Sequence, residues 1–151
     1  ISDNFEFKEL KQDVSEGFYM PQLYTELNGF IDWSWEAKHI ESFIRAFGPP
    51  MLGSATFYNG TKIRILEAFI EKNSEEIHPL FYGRIVNITE EGYAKIATKK
   101  NIIVVTKIMK DKELLPNEIL KISNILYTPI DILENARIKT IHSLDMEKPK
   151  L

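Results

Sequence analysis

Apolar residues recur at helical spacing in the first third of the chain. A period of 3.6 residues predicts an amphipathic helix packed on an apolar surface. Ser34 is the expected N-cap, because its hydroxyl can accept a hydrogen bond from a free amide of the first turn. Gly48 is expected to supply a left-handed C-terminal turn, and Pro49-Pro50 ends the helix. The positions on the apolar face are Ala37, Ile40, Phe43, Ile44 and Phe47.

Short apolar runs separated by turn signals follow this helix. Asn59-Gly60 predicts a type I′ hairpin between strands at 53–58 and 61–71. In the second strand the alternation shifts phase between Ile65 and Leu66, which predicts a β-bulge. Further strands are expected at 80–88, with a kink at Gly83, at 93–98 and at 102–108.

Five short strands joined by hairpin turns fit a small closed barrel of the OB type. The expected fold class is therefore mainly β with flanking helices (α+β), an OB-like five-stranded barrel preceded by an amphipathic helix. In the tail, a short helix is expected to open at 115–118. A second helix should begin at Thr128-Pro129, capped by Thr128, with Leu133 and Ala136 facing the barrel.

Three segments follow from these patterns. Residues 1–31 are interpreted as a linker that wraps on a neighbouring surface, residues 32–138 as the barrel domain, and residues 139–151 as a frayed tail. The chain begins at Ile1 without an initiator methionine, so it is expected to be a piece of a longer protein.

Several short motifs resemble the folate-dependent formyltransferases. Ile31-Asp32-Trp33, a helix ending at Phe47 and the segment 50–55 (PMLGSA) resemble the start of that family's C-terminal domain, and the likeness covers roughly residues 12–108. Tyr19-Met20-Pro21-Gln22 resembles the linker that leads into it. The chain departs from the family at Gln22, where Arg or Lys is usual, and at Met51-Leu52, where Pro or Tyr then Pro is usual.

This resemblance implies a parent enzyme that moves a formyl group from 10-formyltetrahydrofolate to a primary amine. The family includes methionyl-tRNA formyltransferases and amino-sugar N-formyltransferases. Their chemistry lies in a separate N-terminal Rossmann-like domain, where a His and an Asp manage protons and an Asn stabilises the oxyanion. No stretch here matches that catalytic motif. The resemblance therefore implies a missing N-terminal catalytic domain as partner, no catalytic residue and no cofactor in this chain, and no activity for it alone.

The charge of the chain is unevenly distributed. The net charge is −3 over 151 residues; residues 1–48 carry nine acids and four bases, and the remainder carries thirteen acids and fifteen bases. A dedicated nucleic-acid binder usually shows a stronger basic bias. For this reason, and because Thr25–Gly29 before Ile31 looks closer to the amino-sugar enzymes, an amino-sugar nucleotide is slightly favoured over methionyl-tRNA as acceptor.

Most catalytic and metal chemistry is absent from the sequence. There is no cysteine, which excludes disulfides and thiolate catalysis. His39, His78 and His142 are isolated and show no metal-binding spacing, so no metal site is predicted. No apolar run reaches membrane-spanning length and no signal-peptide pattern opens the chain, so a cytoplasmic location is expected.

The candidate site residues are suited to contact rather than catalysis. Tyr19, Trp33 and Trp35 can stack on a ring of the substrate, although burial as core anchors is the favoured role. Arg45 is a candidate anion contact, with an ion pair to Glu41 as its alternative.

Lysines cluster on or near the last two predicted strands. On an OB-like face they can form an electrostatic track for a nucleic acid, and the alternative is a solvated face. The candidate nucleic-acid contacts are Lys95, Lys99, Lys100 and Lys107, with Lys110 and Lys112 nearby.

Three hypotheses for the function remain open at this point. The first is the C-terminal part of a formyltransferase, serving acceptor binding, positioning or dimerisation, with a homodimer as a further partner prediction. The second is a free-standing OB-type module for single-stranded nucleic acid. The third is a structural interaction domain that binds no ligand.

Overall fold

The computed structural model describes residues 17–139. The described residues belong to two units, residues 17–22 and residues 23–139. The second unit contains three α-helices, α1 (Thr25–Asn28), α2 (Ala37–Ala46) and α3 (Ile130–Ile138). Its strands are β1 (Ser54–Tyr58), β2 (Thr61–Glu71), β3 (Ile85–Ile88), β4 (Ala94–Ala97), β5 (Ile102–Lys110), β6 (Glu113–Leu115) and β7 (Leu126–Tyr127).

The strands form one curled antiparallel sheet. Their order is β3-β4-β5-β2-β1-β7, with β6 paired to the far end of β5. The two ends of this path meet, because Arg84 and Ile125 form an antiparallel bridge. Backbone hydrogen bonds flank that bridge, from Leu126 N to Gly83 O at 2.8 Å and from Ile85 N to Asn124 O at 2.8 Å. The sheet therefore curls into a small barrel, as the sequence predicts.

The β1–β2 hairpin confirms two local predictions. Asn59 and Gly60 both have positive φ, 49° and 78°, as a type I′ turn requires. In β2, the register against β5 shifts on both sides of Glu67. This β-bulge lies where the hydrophobic alternation of the sequence changes phase, and it lets the long strand bend around the barrel.

Helix α2 covers the barrel core with the predicted apolar face. Ala37, Ile40 and Ile44 are at most 1% exposed, and Phe47 is also buried. They join a core of inward-facing strand residues, which includes Ile63, Ile65, Ile85, Ile96, Ile103, Val105 and Ile108. The solvent face carries the predicted ion pair between Arg45 and Glu41, at 3.7 Å.

The ends of α2 differ from the sequence prediction. The N-cap position is Glu36, without a side-chain cap, whereas Ser34 donates through its amide and hydroxyl to Asp32 Oδ1. Asp32 therefore closes a turn ahead of the helix instead of accepting from helix amides. Ala37 N donates to the carbonyl of Lys100 at 3.1 Å, so a distant loop supplies the first acceptor. At the other end, the φ of Gly48 is not positive, so no left-handed cap forms.

The third strand is shorter than the predicted 80–88. Residues Pro79–Phe81 form a single 3₁₀ turn, and pairing begins only at Ile85. The kink at Gly83 is confirmed: its φ is +86°, and a Cβ there would collide with the carbonyl oxygen of Leu126. This close approach is where the barrel closes.

The tail contributes more to the fold than the sequence indicates. Asn117–Ile119 is a 3₁₀ turn, and Thr128 does not cap α3, because its hydroxyl donates to Ile31 O at 2.6 Å. Leu133 and Ala136 are only partly exposed. Asn28 of α1 holds the end of α3 by donating to the carbonyls of Ala136 and Lys139, each at 2.8 Å.

The predicted fold class is confirmed as mainly β with flanking helices, and two short strands, β6 and β7, are added to the five expected. The predicted segment boundaries remain predictions. Residues 23–31 lie in the same compact unit as the barrel. Residues 1–16 and the tail from 140 onward, with His142, fall outside the described part of the chain. Within residues 17–139, no helix is long and apolar enough to cross a membrane.

Candidate functional site

Four cationic side chains line one cleft on the surface of the barrel. Two come from the start of β2, and two from the hairpin that joins β5 to β6. The antiparallel register places them together, since Arg64 pairs with Met109. The cleft has a volume of about 180 Å³. Its lining residues are Glu26, Leu52, Lys62, Arg64, Met109, Lys110, Asp111 and Lys112.

Local sequence explains why the β5–β6 hairpin presents its lysines here. Asp111 and Lys112 occupy the two turn positions, both with positive φ, 48° and 66°. Lys110 and Glu113, on either side of this turn, are backbone partners in the β5–β6 ladder. A two-residue turn of this kind connects adjacent strands directly, so Lys110 and Lys112 lie at the same end of the hairpin.

Arg64 forms the fixed part of the cleft. The residue is only 9% exposed. Its Nη1 donates to Gly53 O at 3.0 Å, and its Nη2 to Glu26 Oε2 at 3.2 Å. These bonds tie α1 and the segment before β1 to the barrel. Because both terminal nitrogens of this buried guanidinium already have acceptors, Arg64 keeps its orientation and serves to hold the wall of the cleft.

The cleft carries an excess of positive charge. Its lining holds four cations against two acids, and Glu26 is already paired with Arg64. Among residues 17–139, Lys62, Lys110 and Lys112 take part in none of the ion pairs. Lysines without a carboxylate partner in a concave surface raise the local concentration of anions. The cleft is therefore suited to a phosphate group.

The predicted lysine contacts fall in two other places. Lys95 lies on the outer face of β4 and pairs with Glu71 at 2.8 Å, and Lys107 pairs with Glu67 at 3.4 Å. These two are cross-strand ion pairs on a sheet face. Lys99 and Lys100 lie in the β4–β5 turn and are exposed. Contact of these four lysines with a nucleic acid remains a prediction.

The two tryptophans have different environments. Trp33 is 5% exposed, and its Nε1 donates to Thr56 Oγ1 at 2.9 Å. Trp35 is partly exposed and meets Phe43 edge to face, with ring centroids 5.2 Å apart. It lines a shallow pocket of about 460 Å³ together with His39, Ser42 and Phe43. A ring contact by Trp33 or Trp35 remains a prediction.

Arg45 and Tyr19 are not among the residues that line the cleft. The Arg45 side chain is 72% exposed beside Glu41 on the solvent side of α2. Tyr19 is 65% exposed and belongs to the first compact unit. Contact of either residue with an acceptor remains a prediction.

Sequence reasoning missed the contribution of β2 to the cleft. Lys62 and Arg64 lie 46 or more positions before Lys110, so composition alone does not link them. Two sequence features bear on this placement. The Asn59-Gly60 turn fixes where β2 begins, and the phase shift marks the bulge that sets its register against β5. No group of three or more His, Asp or Glu that could hold a metal occurs in the described part of the chain.

Comparison with known proteins shows two kinds of similarity. Residues 24–124 match a family model described as formyl transferase, C-terminal domain. The methionyl-tRNA formyltransferase of Clostridium tetani is 33% identical over 98 residues, which cover 65% of this chain and 30% of that protein. The methionyl-tRNA formyltransferase of Treponema denticola is 34% identical over 101 residues, covering 66% and 31%. The chain thus spans about a third of the length of these relatives.

Proposed function

The chain belongs to the formyl transferase C-terminal domain family, and from that premise we propose that it forms the acceptor-holding part of a formyltransferase that acts on methionyl-tRNA. The relatives with this name support the acceptor. The carrying observation in the structure is the basic cleft lined by Lys62, Arg64, Lys110 and Lys112. An RNA backbone presents closely spaced phosphates, and lysines contribute to its binding through release of counterions.

The chemical step is assigned to a part of the enzyme outside this chain. The basic cleft is lined mainly by cations, and the pocket beside α2 by Trp35, His39, Ser42 and Phe43. Neither set brings together the Asn, His and Asp that the family's formyl transfer uses. These two linings therefore lack the residues that would act on the formyl group of 10-formyltetrahydrofolate.

An amino-sugar nucleotide is the second candidate acceptor. The excess of acids in residues 1–48 favours it over RNA, because a polyanion would be repelled by that part of the chain. The cleft volume of about 180 Å³ also suits a compact anion such as a diphosphate. Both acceptors predict anion binding at Lys62 and Lys110. They differ in the size of the ligand that binds there, a whole tRNA or a single nucleotide.

The proposal is tested by binding of fluorescently labelled initiator tRNA to this chain between 50 and 200 mM salt, a range over which phosphate contacts lose affinity steeply. We expect the logarithm of the binding constant to fall with the logarithm of salt, and the contacts of the cleft alone should contribute about −3 to the slope. In the double variant K62Q/K110Q the slope should become shallower by about two, since each phosphate contact contributes about one.

The matched control is K72Q/K121Q, which removes two exposed lysines outside the cleft. Its salt slope should stay close to that of the unmodified chain. Salt-insensitive binding, or equal effects of the two double variants, would overturn the cleft as the acceptor contact. Direct binding of a nucleoside diphosphate amino sugar, with no tRNA binding, would favour the second acceptor.

A further inference from the structure

The shallow pocket at the start of α2 presents an aromatic surface to solvent. Trp35 and Phe43 stand edge to face at 5.2 Å, and Phe43 in turn contacts Phe47 with ring centroids 4.8 Å apart. Phe47 is buried, so this stack anchors the Trp35 ring to the core. His39 and Ser42 complete the lining. A ring held by such a stack offers a rigid face at low entropic cost.

The turn between β4 and β5 abuts the same end of α2. The carbonyl of Lys100 accepts from Ala37 N at 3.1 Å. Thr98 Oγ1 holds the turn closed with hydrogen bonds to the carbonyls of Lys100 and Asn101, at 2.9 and 2.8 Å. Lys99 and Lys100 are exposed, and neither joins an ion pair among the described residues. The fold therefore places two exposed cationic residues in the turn that contacts the same end of α2 as the aromatic pocket.

Strand β5 connects this end of the barrel to the basic cleft. It runs from Ile102, next to the Lys99-Lys100 turn, to Lys110 at the cleft. Its nine residues span about 26 Å at a strand rise of about 3.3 Å per residue. The two cationic clusters are thus separated by far more than the length of one diphosphate. A ligand that reaches both is a chain of many phosphates.

We propose that the Trp35 pocket binds an unpaired base of an RNA, that Lys99 and Lys100 contact the phosphates beside that base, and that the basic cleft contacts phosphates further along the same RNA. This inference rests on the proposed function and adds a second contact to it. Stacking of a base on an aromatic side chain tolerates any base, because each has a π-face. Charge complementarity with the adjacent lysines favours a nucleotide over an uncharged apolar group.

The test uses this chain and a stem-loop RNA with a four-nucleotide single-stranded end. Each base of that end is replaced in turn by an abasic site, and affinity is measured by fluorescence anisotropy. We expect one position at which loss of the base weakens binding about tenfold, as stacking energies predict. With W35A the same abasic change should have no further effect, because the two partners of one contact are coupled.

Two other variants complete the design. Y127A removes a ring that is 38% exposed on β7, which is separated from β5 by two strands and supplies no residue to the pocket lining, and it should keep the abasic penalty. K99Q/K100Q should flatten the salt slope by up to about two while the thermal midpoint stays unchanged. That variant keeps the proposal testable if W35A fails to fold.

The outcomes separate this inference from the proposed function. Equal abasic penalties for the unmodified chain and W35A, with a steep salt slope that still depends on Lys62 and Lys110, would overturn the base pocket alone. An unchanged salt slope in K99Q/K100Q would overturn the phosphate contact of the turn. If the unmodified chain binds no RNA even at low salt, both the proposed function and this inference are overturned.

Discussion

The indole Nε1 of Trp33 donates a hydrogen bond to Thr56 Oγ1 at 2.9 Å, deep inside the barrel. The same hydroxyl of Thr56 donates a second hydrogen bond, to the carbonyl of Tyr127 at 3.0 Å. The segment before α2, the strand β1 and the strand β7 are thus joined through one hydroxyl group. Thr56 has no solvent exposure, so water cannot replace these bonds.

Replacing that hydroxyl should therefore destabilise the barrel. We expect T56V to lower the free energy of unfolding by about 1–3 kcal/mol, because it leaves the indole N–H and a carbonyl without partners. The measurement is urea denaturation with an unchanged m-value. In a W33F background the same change should cost about 1 kcal/mol less. Equal costs in the two backgrounds would show that the Trp33–Thr56 bond contributes nothing.

Gly83 and Gly92 offer a matched pair of substitutions. Their φ values are similar, +86° and +89°, but a Cβ at Gly83 meets Leu126 O while nothing lies within 4 Å of one at Gly92. G92A should cost only about 1–2 kcal/mol of backbone strain. G83A should cost more than about 4 kcal/mol, because the barrel closure must shift as well. Similar thermal melting points for the two variants would contradict this account of the closure.

Asn28 should determine how firmly α3 is held. N28D keeps the oxygen that accepts from Tyr24 N but turns an acceptor towards the carbonyls of Ala136 and Lys139. We expect hydrogen exchange of the α3 amides to accelerate about tenfold, while the amides of β2 and β5 keep their protection. N87D, an exposed change elsewhere, is the control. A global loss of protection would show instead that α3 unfolds only with the barrel.

Glu91 should make a small pH-dependent contribution to the stability of the folded state. Its pKa is lowered from its ordinary value, first by a hydrogen bond to its own backbone amide and second by the Thr89 hydroxyl. A lowered pKa means that the folded state favours the carboxylate, so this contribution is present at neutral pH and is lost as the pH falls through the pKa of the folded state. NMR titration of the carboxyl carbon should show the lowered pKa, and T89A should raise it. An identical titration in T89A would contradict the role of Thr89.

The predictions confirmed in the fold were those that depend on neighbouring residues. The apolar face of α2, the Asn59-Gly60 turn and the bulge near Leu66 are local patterns, and the structure shows all three. The caps were wrong because their partners are distant in sequence. Lys100 serves the first turn of α2, and Ile31 takes the hydroxyl of Thr128 that was expected to cap α3.

The lining of the basic cleft could be predicted only in part from the sequence, for the same reason. The basic character of β5 and its flanking turns was visible, but Lys95 and Lys107 meet Glu71 and Glu67 on the neighbouring strand. Conversely, Lys62 and Lys110 carry no sequence signal of proximity. Strand register, which depends on the bulge in β2, decides which lysines are neutralised and which remain available.

The closure of the barrel between residues 83–85 and 123–126 also has a consequence for biosynthesis. A polypeptide made from its N-terminus can form α2 and the β1–β2 hairpin early, because those contacts are short in sequence. The ring itself stays open until Leu126 has been translated, and until then the edges of β1 and β3 present unpaired backbone groups that can pair with other chains. Translational pausing or premature termination shortly before Leu126 should therefore yield an aggregation-prone product, although it would carry nearly all of the core.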